Sequence, residues 1–249
     1  MQLKPFLLDI WLDQYDHNIE FNLAASTGPT WTVNDILALA DDEIEALHDF
    51  TAERGIQLVS DEVYHPIYHG RQTKSAARLP HATVIADLSK AFSIAGVRTG
   101  WMIEPDAERR RQYWTARAYF SISNTTTGEI LSEIAIRKRD IVLGKTQEAA
   151  TRNLKLLESF MADHRDVLGW IPPQGGMTAF PWLMGGENAR PFCQAATEHG
   201  ILLAPGDCFD IPSHFRLGFA AVGDNLSFSR ALDRFGAFVN SWSAKMVTT

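Results

Sequence analysis

A chain of 249 residues, 45% hydrophobic and 21% charged, is long enough to bury one large core or two modest ones. Its net charge of -7, with no long run of Lys or Arg, excludes the concentrated basic face that nucleic acid or an acidic membrane surface requires. Cys193 and Cys208 form neither a disulfide framework nor a CxxC zinc pattern, and neither a signal-peptide core nor the ~18 apolar residues of a membrane span occurs, so a cytoplasmic chain is expected.

Residues 1–32 mix aromatic, polar and turn-forming types and contain Ser26-Thr27-Gly28-Pro29, the pattern of an extended arm with a tight turn. Apolar residues at Ile36, Leu37, Ala40, Ile44, Leu47 and Phe50 keep helical spacing as far as Gly55, a residue that stops helices. Runs at 56–59 and 82–86 predict two buried parallel strands, and 97–103 a third. Helices are expected over 106–118, 125–139 and 141–164. Arg109-Arg110-Arg111 follows Glu104, Asp106 and Glu108 and reads as a charge-balanced, solvated helix face. Beyond Gln174-Gly175-Gly176 the pattern alternates: strand at 177–183, helix at 191–199, strands at 201–204 and 215–219, helix at 226–242. That alternation implies a smaller α+β domain. The expected division is an arm over 1–32, a cofactor-binding domain over 33–145 and a small domain over 146–249.

Asp61 ends a strand-like run, where α/β sheets gather ligands, and a carboxylate there can keep a pyridine nitrogen protonated. Tyr64 offers a phenol to the ring oxygen of the same guest. A strand-end aspartate equally serves as a cap or a loop ligand. Lys90 stands between Leu88-Ser89 and Ala91-Phe92, a setting that partly desolvates an ammonium and suits an imine-forming nucleophile; the plainer alternative is an exposed lysine after a strand. Arg98 is a permanent cation suited to bidentate phosphate contact or to a surface ion pair. His65 and His69 have H-x-x-x-H spacing, but Pro66 breaks the helix such a site needs, and no metal is expected. Neither G-x-G-x-x-G nor G-x-x-x-x-G-K-[ST] occurs, so nicotinamide and P-loop chemistry have no foothold.

Asp61-Glu62-Val63-Tyr64, Leu88-Ser89-Lys90-Ala91-Phe92, Gly96-Val97-Arg98-Thr99-Gly100-Trp101, Gln174-Gly175-Gly176-Met177, Ala204-Pro205-Gly206 and Phe215-Arg216-Leu217 are similar, in order and spacing, to the motifs of fold type I PLP-dependent aminotransferases of the class I/II family. The resemblance implies an α/β, PLP-transferase-like (aspartate aminotransferase-like) fold with a reduced large-domain sheet and a smaller α+β C-terminal domain. It implies pyridoxal 5'-phosphate (PLP) as cofactor, and an amino acid and a 2-oxo acid as substrates. Lys90 becomes the catalytic lysine and proton shuttle, Asp61 the pyridinium partner, Tyr64 the ring-oxygen partner, and Ser89 and Arg98 the phosphate holders. Arg216 would take the substrate α-carboxylate, Gly28 would lie in an arm closing over the substrate, and the chain would pair as a homodimer. The same machinery serves eliminations and cyclisations, so an amino-acid lyase or cyclase is the neighbouring reading. A catalytically silent, shortened relative acting as a fragment or interaction protein is the other.

Two departures qualify the resemblance. Asp87 stands where the family places a phosphate-binding serine, and its charge repels a dianion unless compensated or turned away. Between the arm and Asp61 the chain also lacks the family's glycine-rich phosphate loop, stacking aromatic and asparagine-proline turn. The shortening is expected to leave sheet edges and apolar faces open, with low solubility or self-association as the consequence.

Overall fold

Helix α1 (Glu43–Glu53) runs out at Gly55, whose φ of +66° is the left-handed conformation in which glycine closes a helix. The computed structural model describes residues 43–220 and 225–246. The arm, Gly28 and the first expected helix before residue 43 lie outside the described residues. The chain divides into two compact units, 1–47 and 48–249; the described part of the first is the opening of α1.

In the second unit, β1 (Leu58–Asp61) pairs in parallel with β2 (Ala82–Asp87), and β3 (Gly100–Ile103) pairs antiparallel with β2, in the order β1-β2-β3. The parallel pair is the expected one. Burial is not: Ala82, Thr83 and Val84 in the central strand are buried, whereas Val59 in β1 is 54% exposed because β1 is an edge. The third strand starts at Gly100, since Ala95–Val97 form a 3-10 turn. A Cβ at Gly100 would sit 2.9 Å from the Ala86 carbonyl oxygen, so glycine lets the two strands close there.

Asp106 caps α2 (Ala107–Phe120) by accepting from the Arg109 amide at 2.8 Å. Thr125 caps α3 (Thr126–Arg137), and α4 (Arg139–Asp163) follows. The strand expected over 177–183 forms as β5 (Thr178–Ala179) and β6 (Trp182–Leu183), interrupted at Pro181, which has no N–H to give. β6 pairs with β4 (Leu168–Gly169), while β8 (Phe215–Gly218) lies between β5 and β7 (Ala204–Pro205). Helices α5 (Arg190–Glu198) and α6 (Asn225–Met246) complete the described residues.

The core is aromatic. Phe192, Phe215, Phe235 and Phe238 are each at most 2% exposed, and Phe192 packs 5.3 Å from Phe215 and 4.9 Å from Phe238 between ring centres. Ile67, Leu88, Ala91 and Phe92 join the same cluster, so the loops leaving β1 and β2 are pinned to it.

Glu104, between β3 and α2, is a charged group that the fold buries, 5% exposed. Its carboxylate accepts from Thr83 Oγ1 at 2.5 Å, the Asp106 amide at 2.8 Å and Arg109 Nη2 at 3.2 Å. Burial pushes its carboxyl up, but the hydrogen bonds from Arg109, Thr83 and the Asp106 amide outweigh burial and leave it below the ordinary value of 4.5. A carboxyl lowered on folding contributes stability above its unfolded value and loses it as pH falls through the folded one. Glu104→Gln is therefore expected to cost about 1–3 kcal/mol at neutral pH. Below pH 4.5 the urea midpoints of wild type and variant should converge; parallel midpoints across that range would refute the assignment.

Candidate active site

Parallel register sets Asp61 beside Ile85, so β1 and β2 finish at one end of the sheet. Pairing continues past the strands: the Glu62 amide donates to the Ile85 carbonyl at 2.8 Å and the Ala91 amide to the Val63 carbonyl at 3.1 Å. β3 enters at the same end, with Gly100 beside Asp87 and the Leu88 amide donating to the Thr99 carbonyl at 3.1 Å. Asp61, Tyr64, Ser89, Lys90 and Arg98 are thereby brought to the carboxyl ends of the parallel strands.

Leu88, Ala91 and Phe92 are buried, and Lys90 stands exposed between them. The partial desolvation expected for its ammonium is not found, because its apolar neighbours turn into the core and leave it on the outer side of the loop. No hydrogen bond or ion pair ties its ammonium to another described residue, while its carbonyl accepts from the Ser93 amide at 2.9 Å. Asp61 is exposed, and its Oδ1 accepts from the Val63 amide at 3.2 Å, a loop contact that leaves the other carboxylate oxygen available. Asp87 Oδ1 accepts from the Ser89 amide at 2.7 Å, so the charge that conflicts with a phosphate is turned onto its own loop. Arg98 has φ +55°, an unusual conformation for a residue with a Cβ, and its Nη1 donates to the Ala95 carbonyl at 3.0 Å.

Tyr64 packs against a glycine more than 100 residues away in sequence. Gly176, at φ +79°, lies against the Tyr64 ring, to which an added Cβ would approach within 3.5 Å. The Gly176 amide donates to the Ile67 carbonyl at 2.9 Å, the His69 amide to the Gln174 carbonyl at 2.8 Å, and His69 Nε2 pairs with the Gly176 carbonyl at 2.7 Å. Gln147 holds the same segment from α4, accepting from the Tyr68 amide at 3.0 Å and donating to its carbonyl at 2.8 Å. The sequence reading found the glycines but missed His69 and Gln147 as supports; no local pattern marks them.

Arg216 is exposed on β8 between buried Phe215 and Leu217, its guanidinium 5.2 Å over the Phe209 ring centre. No hydrogen bond or ion pair joins it to Asp61, Tyr64, Lys90 or Arg98. The connection runs through backbone: the Phe219 amide donates to the carbonyl of Met177, next to the glycine under Tyr64, at 3.0 Å.

Comparison with known proteins converges on one family. The model of the family "Aminotransferase class I and II" matches residues 37–235. Capreomycidine synthase of Streptomyces vinaceus is 24% identical over 177 residues, covering 70% of this chain and 45% of that protein. Aspartate/prephenate aminotransferase of Thermus thermophilus is 27% identical over 207 residues, covering 77% and 50%. The crystal structure of the PLP-dependent cyclase OrfR superposes with a TM-score of 0.72 at 29% identity, covering 86% of this chain and 56% of that one. The chain thus spans about half the length of the relatives it matches, and over that half it has the PLP-transferase fold. With four-fifths of its residues inside the family match, this chain belongs to the aminotransferase class I and II family.

Proposed function

We propose that this chain is a PLP-dependent aminotransferase acting on an amino acid and a 2-oxo acid. What supports the reading is the backbone pairing that brings the segments carrying Asp61, Tyr64, Ser89, Lys90 and Arg98 to one end of the β1-β2-β3 sheet. That donor set fits the cofactor: Asp61 for the pyridine nitrogen, Tyr64 for the ring oxygen, Lys90 for the aldehyde, Ser89 Oγ and Arg98 for the phosphate. The Asp87 carboxylate is hydrogen-bonded to the Ser89 amide, which leaves the Ser89 hydroxyl and the guanidinium for the anion.

When bound, PLP supplies an electron sink for charge developing at the substrate α-carbon. The chain's own residues do the rest. Lys90 Nζ, free of any described partner, would take and move the α-proton of the substrate. Asp61 would hold the ring nitrogen protonated, Tyr64 would donate to the ring oxygen, and Arg216 would take the substrate carboxylate through its fork. The division expected from the sequence, with a shortened cofactor-binding domain up to residue 145 and a small domain after it, goes with this reading.

We place the protein in the cytoplasm as a homodimer. No helix among the described residues is long and apolar enough to cross a membrane. Trp114, Tyr119, Phe120 and Ile122 are 71–90% exposed around the end of α2, an apolar group that a second copy would cover.

The test is direct. Purified protein mixed with PLP should develop the visible absorption of a lysine-bound cofactor, and Asp61→Ala should weaken its binding at least about tenfold. A protein that stays colourless ends the proposal. The similarity to a cyclase over 86% of the chain favours a second reading, intramolecular ring closure of an amino acid. Formation of a 2-oxo acid from the donor supports amino transfer; loss of donor without one supports cyclisation.

A further inference from the structure

Gln147, Glu148, Arg152, Lys155 and Leu156 of α4 border, with Ser229 of α6, an open cavity of about 830 Å³, within the size range of small-molecule sites. The wall is anchored, since the Gln147 amide grips the Tyr68 backbone at both ends and also donates to Thr151 Oγ1 at 2.8 Å. Arg152 Nε and Nη2 are shut off from solvent and have no hydrogen-bond partner among the described residues. A guanidinium cannot shed its proton, so Arg152 keeps its positive charge beside the cavity. Lys155 is exposed one turn further along and has no ion pair among the described residues. Glu148 stands four residues before Arg152, the spacing of a helix ion pair, yet no such pair forms. This stretch of wall therefore carries two cations against one carboxylate.

We propose that the α4–α6 cavity binds a small organic anion, a carboxylate or a phosphate ester. Arg152 and Lys155 supply the positive charge that holds the anion, and Leu156 lies beside the carbon skeleton. The site is distinct from Arg98 and Arg216 and does not depend on the proposed activity.

Hydrogen exchange of the full chain tests it, with citrate, inorganic phosphate or sodium chloride at equal ionic strength. Citrate or phosphate is expected to slow exchange saturably over residues 147–156, and chloride is not. Protection by citrate alone identifies a carboxylate site, and by phosphate alone a phosphate-ester site. Arg152→Gln should weaken the effect at least about tenfold and Lys155→Gln several-fold. Glu148→Gln should tighten it by removing a repelling charge, and Lys90→Ala should leave it unchanged. Protection by chloride, persistence of protection in Arg152→Gln, or no protection at all overturns the proposal. Should Arg152→Gln fail to fold, an unchanged affinity in Glu148→Gln overturns it as well.

Discussion

Lys90→Ala is expected to abolish the visible band of bound PLP and to leave borohydride with nothing to fix at that position. The proposed role gives this residue two tasks, holding the cofactor and moving the α-proton. Loss of the proton-transfer task alone lowers turnover by about 10²–10⁴-fold. The substitution should do little to the fold, because Lys90 is exposed and its loop is pinned by Leu88, Ala91 and Phe92 rather than by the lysine. The measurement is an absorption spectrum with peptide mapping after reduction. A label that persists in the variant, on whatever residue, removes Lys90 from the mechanism, whereas a wild type that takes no label removes the mechanism itself. Circular dichroism should be unchanged between the two proteins.

Phe192→Ala has the largest expected effect on stability, a loss of about 3–5 kcal/mol. Phe192 is fully buried, and its ring meets Phe215, Phe235, Phe238 and Trp242, with centres 4.9–6.1 Å away. Truncation removes the contacts of four aromatic neighbours at once, and a cluster of large rigid rings closes such a cavity poorly. Native domains hold only about 5–15 kcal/mol in reserve, so the variant should show a large drop in urea midpoint at an unchanged slope. A loss below about 1 kcal/mol would mean that the cluster relaxes around the gap, contrary to the rigid packing described here. The same core anchors Leu88 and Phe92, and the variant should therefore bind PLP less well even under conditions where it stays folded.

Legibility differed from element to element. The helices at 106–118, 125–139 and 141–164 were readable to within a residue or two, because caps such as Asp106 and Thr125 lie beside the residues they serve. The parallel pairing of β1 and β2 was readable from two short β-rich runs, but their burial was not: one strand is central and the other an edge, and sheet order is not written in either run. The strand at 201–204 shrank to Ala204–Pro205, where β8 offers a partner. Lys90 was expected to be partly desolvated from its apolar neighbours, yet those side chains turn inward and the lysine does not follow them.

The sequence by itself determined which chemical groups the chain carries and in what order, since strand ends, turns and caps are set by residues a few positions apart. It thereby determined the family and the identity of the candidate site. Only the tertiary structure decided that Gly176 underlies Tyr64, that His69 meets a carbonyl 107 residues away and that Gln147 grips a backbone 79 residues away. It also decided that Arg152 is left with shielded, unsatisfied nitrogens. Contacts at such separations have no local periodicity; they follow from how the helices and sheets pack around the aromatic core.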